Sequence, residues 1–305
     1  MLDRRETLNA PIIGALGTSL FKTGSFKVSK LGGRLRLGRA LRSLMIATTL
    51  LAILTGCMTT TTTTSRTLTS DNTSTKKKLD SQAALDDYVQ LGLSYLQKDR
   101  REQARANFKR ALDIDSRSAA AHHGMALLYQ LNREFELSEQ HYKQAIRYEP
   151  GFTRGRNNYA VFLVRQERLE DAYQQLVIAS QDLNYSRRAQ VFLSLGEVAS
   201  ALGKKAEAIA AWERVIGLNP RGALPYLSLA EEYYEEKEYP KAKAYLDQFE
   251  RLSAANARSL WLAVRIEDAF GNADGVASKG MALKNLFPYS EQALTYKEWL
   301  ERKAQ

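Results

Sequence analysis

From residue 85 onward, apolar and small side chains recur at helical spacing in windows of 34 residues, and each window breaks once near its middle. The window from Leu85 sets Tyr88, Leu91, Gly92 and Tyr95 on one helical face. After the polar break at Lys98 to Arg100 it continues with Ala104, Phe108 and Ala111. The window from Ala119 repeats this with Met125, Ala126 and Tyr129, then Ser138, Tyr142 and Ala145; that from Thr153 has Tyr159, Ala160 and Leu163, then Ala172, Leu176 and Ala179. Two residues are inserted around Arg187-Arg188. The next windows begin at Ala189 (Phe192, Leu195, Gly196, Ala199, then Ala208, Trp212, Val215) and Ala223 (Tyr226, Leu229, Ala230, Tyr233, then Ala242, Leu246, Phe249). A weaker one begins at Ala257 (Leu260, Ala263, Val264, Leu283). The pattern predicts an all-α chain of six helical hairpins over 85–118, 119–152, 153–186, 189–222, 223–256 and 257–290. A last helix at 291–303 follows, with Leu294, Trp299 and Leu300 expected to cap the final hairpin.

Each recurring residue type has a mechanical reason. Gly92, Ala126, Ala160, Gly196 and Ala230 are small enough for two helices of a hairpin to approach, and the larger side chains further on fill the space so defined. Pro150, Pro220 and Pro288 lack the amide a continuing helix would need, so they mark the end of second helices. This pattern resembles the tetratricopeptide repeat, and the resemblance spans residues 85–290. It implies a superhelix in which the first helix of every hairpin lines a concave inner face.

The N-terminal third is patterned differently. Arg34, Arg36, Arg39 and Arg42 precede an apolar run from Leu44 to Ile53, too short to cross a ~30 Å bilayer core as a lasting helix, so residues 1–56 read as a signal peptide with a long extension. Residues 1–43 exceed the usual length before such a run, which leaves open an unusually long leader or a translation start nearer the arginines. The run closes on Leu54-Thr55-Gly56-Cys57, which resembles the lipobox of bacterial lipoproteins. That resemblance implies cleavage before Cys57, a diacylglycerol on its sulfur and an acyl chain on the new amino terminus. Met58 follows where Asp would signal inner-membrane retention, so lipoprotein sorting to the periplasmic side of the outer membrane is expected. Residues 57–80 are Thr/Ser-rich, with six consecutive threonines at Thr59 to Thr64 and the basic triplet Lys76, Lys77, Lys78. They read as an unstructured tether with a span of ~25–30 Å.

Charge changes the picture less than its total suggests. Of the net +10, the segment to Cys57 holds nine Lys or Arg against Asp3 and Glu6, which leaves the remainder near neutral and without the basic stripe that nucleic acid requires. One cysteine permits no internal disulfide. The histidines His122, His123 and His141 do not form a metal-ligand spacing, and no phosphate loop or nucleophile elbow is present. The carboxylate pairs Glu231-Glu232 and Glu235-Glu236 read as ordinary solvated acids. Neither an enzyme nor a cofactor is expected beyond the lipid on Cys57.

Function must then lie in surfaces. Inner positions of the first three windows carry Val89, Leu93 and Leu96; His123, Leu127 and Leu131; and Asn157, Val161 and Val164. An exposed apolar strip of this kind marks a groove for an amphipathic helix of a partner. The residues alone leave a second reading open, in which superhelix curvature or the tether covers them. Gln190, Glu197, Ser200 and Glu231 make the later windows more polar, which places the expected partner at the N-terminal half.

Leader, lipobox, tether and repeats together resemble the type IV pilus biogenesis lipoproteins of the PilF/PilW family, the pilotins. Tyr88 to Leu96 with Ala104, Asn107, Phe108, Ala111 and Leu112 looks like that family's first repeat. Arg156-Asn157-Asn158-Tyr159-Ala160 with Phe162-Leu163 looks like its third. The resemblance implies a carrier that brings PilQ-like secretin subunits to the outer membrane and promotes their assembly into a ring. An adaptor for a peptidoglycan enzyme or another envelope machine fits the same composition; a periplasmic hydrolase or transferase would need a polar pocket that the pattern lacks.

Overall fold

The computed structural model describes residues 69–304. Thirteen helices run through them: α1 (Thr69–Gln97), α2 (Arg101–Ile114), α3 (Ala119–Leu131), α4 (Phe135–Tyr148), α5 (Thr153–Arg165), α6 (Leu169–Ser180) and α7 (Arg188–Ala201), followed by α8 (Lys205–Leu218), α9 (Leu224–Glu235), α10 (Tyr239–Leu252), α11 (Ala257–Ala269), α12 (Ala273–Leu286) and α13 (Glu291–Lys303). Consecutive helices pair as six hairpins and α13 closes the series. Among the described residues, backbone contacts separate the repeat body, from Gln82 onward, from residues 69–81 at the beginning of α1.

That beginning corrects the expected tether. Helix starts at Thr69, so residues 69–80, assigned above to unstructured chain, are helical. The cause is the asymmetry between starting and extending a helix: Leu85, Val89 and Leu96 are packed and nucleate the turns around them, and each residue added in front gains a hydrogen bond without a new nucleation cost. Cys57 and residues 58–68 lie outside the described residues.

The turn inside every hairpin has one geometry. Asp99, Arg133, Glu167, Gly203, Lys237 and Gly271 all have positive φ, between 54° and 74°. The amide of the following residue donates back across the turn in all six, as from Arg100 to the Tyr95 carbonyl at 2.9 Å and from Lys204 to the Ala199 carbonyl at 2.8 Å. This is the six-to-one bond of a Schellman ending, which needs one left-handed residue and satisfies carbonyls that the helix end would otherwise orphan. Between hairpins, α4, α8 and α12 each stop two residues before Pro150, Pro220 and Pro288.

Within hairpins the small residues do what their size permits. A Cβ on Gly92 or on Gly124 would overlap the ring of fully buried Phe108, and one on Gly196 would overlap the indole of Trp212. Ala126, Ala160 and Ala230 are buried completely. One apolar cluster runs from Leu96 on α1 to Leu229 on α9, and two smaller ones carry the packing on through α11 to α13.

The closing helix packs on a different face from the one expected. Ala293 and Tyr296 are buried with Trp299 beside them, whereas Leu294 and Leu300 are exposed. The Tyr296 side chain lies in the notch left by Gly280 on α12, where a Cβ would collide with it, and that fit fixes the rotation of α13.

Candidate partner-binding face

Successive first helices touch one another directly, α3 with α5, α5 with α7, α7 with α9 and α9 with α11. They therefore form the inner, concave layer. Such close approach has a consequence for the apolar strip. Val89, Leu96, His123, Leu127, Asn157 and Val161 are buried, and only Leu93, Leu131 and Val164 remain half-buried. Leu96 and Leu127 belong to the main core, Val89 packs with Ala111 and Ala121, and Val161 packs with Val164 and Ala201. The inner strip is thus mostly the seam between hairpins, with a narrow line of accessible apolar side chains along it. On the other side of α1, a shallow depression of about 460 Å³ is lined by Asp87, Gln90, Leu91 and Ser94.

The seam also holds polar groups. Asn158 Nδ2 donates to His123 Nε2 at 2.8 Å, so the neutral imidazole carries its proton on Nδ1, which has no partner. Burial, reinforced by the charge of Arg154, pushes the His123 pKa down to about 3. Asn157 Oδ1, at the same repeat position one hairpin on, is likewise buried and unbonded. Arg154 makes no ion pair among the described residues and lies over the Phe152 ring at 5.5 Å. His122 and His141 meet through their Nδ1 atoms at 2.9 Å, a pairing across α3 and α4 that spacing alone did not reveal. His122 Nε2 faces the Ser116 carbonyl at 3.0 Å and must donate to it, so His141 Nδ1 donates and His122 Nδ1 accepts.

Farther along the face Glu235 and Glu236 are exposed, as expected of solvated acids, but Glu231 and Glu232 are drawn into pairings with neighbouring helices. Glu231 takes a two-pronged ion pair from Arg258, Glu232 is buried and accepts from Ser200 Oγ at 2.8 Å, and Glu235 accepts from Arg265 at 3.1 Å. Their partners come from neighbouring helices 27 to 32 residues away, a register that composition cannot disclose. Among the described residues no group of three or more His, Cys, Asp or Glu side chains is gathered to hold a metal ion. No helix among them is long and apolar enough to cross a membrane.

Thirteen helices, a repeated left-handed turn and an inner layer of first helices define a tetratricopeptide-repeat protein, and family profiles described as tetratricopeptide repeat match residues 88–118, 123–183 and 193–257. Over 255 residues the chain is 38% identical to the type IV pilus assembly protein PilF of Pseudomonas aeruginosa, covering 83% of this chain and 96% of that one. A solved structure of Pseudomonas aeruginosa PilF superposes with a TM-score of 0.65 at 38% identity, over 72% of this chain and 99% of that one. The structure of PilW, described as a widely conserved type IV pilus biogenesis factor, gives 0.60 at 25% identity, over 69% and 97%. The chain belongs to the PilF family of tetratricopeptide-repeat proteins. A repeat scaffold of this family works by binding rather than by catalysis.

Proposed function

We propose that the chain is an outer-membrane lipoprotein pilotin that binds secretin subunits and promotes their localisation and multimerisation in type IV pilus biogenesis. The observation that carries this reading is likeness to PilF along nearly the whole of that protein, combined with a lipobox cysteine upstream of the repeats. Acyl chains on Cys57 would hold the chain at the membrane, since two or more give stable anchoring at ~0.8 kcal/mol per buried methylene. A subunit bound to the inner face would travel with them, and confinement near the membrane raises its local concentration and favours ring assembly.

Membrane fractionation of cells carrying Cys57→Ser, with the secretin read as heat-resistant multimers, tests the tether. The expected result is a folded, soluble repeat domain and loss of outer-membrane multimers. Unchanged multimers with the protein released from the membrane would replace this reading with that of an envelope adaptor.

Leu93 tests the inner face. It is half-buried, so Leu93→Glu is expected to keep the helical circular dichroism and to reduce secretin multimers at least tenfold. Leu127→Glu cannot serve the same purpose, because Leu127 is part of the core and a buried unpaired carboxylate would unfold the second hairpin. Multimers at the unmodified level in Leu93→Glu would remove Leu93 from the contact surface.

A further inference from the structure

The first helices α7, α9 and α11 carry six carboxylates, and five of them are matched. Glu231 pairs with Arg258, Glu232 with Lys205 at 3.8 Å, Glu235 with Arg265 at 3.1 Å, Glu267 with Lys243 at 2.9 Å, and Asp268 with Lys303. The sixth, Glu197 on α7, has neither an ion pair nor a hydrogen bond among the described residues. Its Oε2 is withdrawn from solvent and unbonded. Arg258, two first helices away, is near enough to act on Glu197 through its charge, but its guanidinium is already committed to Glu231. Glu197 therefore sits on the same face as the Arg258–Glu231 pair, which neutralises itself and leaves one carboxyl over.

We propose that Glu197, beside the Arg258–Glu231 pair, is the binding site for one basic side chain, arginine or lysine, of a polypeptide lying along the inner face. A buried carboxyl without a cation is costly in its charged form, and burial here, only partly offset by Arg258, pushes the Glu197 pKa up to about 7. Near neutral pH it is thus poised between a proton and a cation, and a ligand that supplies the cation converts that cost into affinity. A neutral hydrogen-bond donor would satisfy Oε2 but would not recover the charge interaction. The site lies in the half of the face that the apolar pattern passed over, so it would set the register of a partner whose apolar contacts fall near Leu93 and Leu131.

This inference rests on the inner face being the partner surface, and its test is made without a secretin. The full chain, with ¹³C-labelled glutamate, is titrated with N-acetyl-arginine methylamide and, in parallel, with the uncharged N-acetyl-citrulline methylamide. The Glu197 carboxyl resonance is followed against pH at each concentration. The expected result is a saturable response to the arginine probe alone, with the midpoint of Glu197 lowered by one pH unit or more at saturation, which is a tenfold preference of the probe for the ionised carboxyl. Glu197→Gln, whose missing signal also identifies the resonance, is expected to lose saturable binding of the arginine probe in isothermal titration calorimetry and to keep its helical circular dichroism. An absent arginine response, or an equal response to citrulline, overturns the proposal; the secretin reading would still stand or fall on Cys57→Ser.

Discussion

Phe108→Ala is expected to cost about 3–5 kcal/mol, the range for truncating a fully enclosed phenylalanine. The ring comes from α2 and is flanked by the backbone of α1 at Gly92 and of α3 at Gly124, so three helices meet on it and none has a side chain to fill the space it would leave. Repeat bodies are stabilised mainly between neighbours, and the first hairpin has a partner within the repeat body only on its α3 side. The loss should therefore appear as early unfolding of α1 and α2 in urea, with proteolysis confined to residues 82–118 before the later hairpins open. The reciprocal change is equally specific. Gly124→Ala overpacks the same ring and is expected to cost about 1–3 kcal/mol in the native chain, and well under half of that beside Phe108→Leu, where the plane of the ring is gone. Additive costs in the double variant would show that Gly124 and Phe108 do not share the contact.

The same pair shows why so much of the fold is legible in the sequence. Gly92 with Phe108 and Gly196 with Trp212 both stand sixteen residues apart, because one local solution to hairpin packing is used again and again. A period reports such local solutions well. It reports the turn less well: the left-handed position is signalled by Gly203 and Gly271, but Asp99, Arg133, Glu167 and Lys237 occupy it without any such mark. It fails where the answer depends on how hairpins lean on each other. Val161 and Leu127 occupy inner positions that a groove reading makes accessible, yet the approach of successive first helices buries them. Glu197 and Glu231 occupy the equivalent position in the next two windows, and one is unpaired while the other is clamped by an arginine 27 residues on. The rotation of α13 is hidden from the sequence for a related reason, since Gly280, not the hydrophobicity of Leu294 and Leu300, decides which side of that helix is received.

Between pH 6.5 and 4.5 stability is expected to fall, and two substitutions should change the slope in opposite directions. An unfolded histidine takes up a proton near 6.5, whereas folded His123 is held at about 3 and folded His141 at about 4, both mainly by burial. Across this window the unfolded chain binds more protons at both sites, so their stabilisation is complete above 6.5 and is lost as pH drops; the fully buried His123 alone accounts for roughly 1.4 kcal/mol per pH unit. His141 is half-buried and contributes less, and the charge of His122 beside it adds a second, smaller cause that lowers it. Glu197 works the other way. Its folded value of about 7 exceeds the 4.5 of an unfolded glutamate, so the folded chain binds the extra proton and gains stability as pH falls, by about the same amount per unit. Glu139 enters at the lower edge of this window, near the 4.5 of an unfolded glutamate: burial raises its carboxyl, but hydrogen bonds from Arg168, Lys143 and Tyr159 together bring it down to about 2. Because His123 and Glu197 nearly cancel in the native chain, urea unfolding of the repeat domain at intervals from pH 7 to 4.5 should show a shallow native loss carried by His141, with His123→Gln gaining stability as pH falls and Glu197→Gln losing it more steeply, each slope displaced from the native one by roughly 1.4 kcal/mol per pH unit. A steeper slope in His123→Gln would mean that burial does not keep this imidazole neutral and that folded His123 takes up its proton within the window. An unchanged slope in Glu197→Gln would mean that its carboxyl is already ionised in the folded chain, and the cation site on the inner face would lose its physical basis.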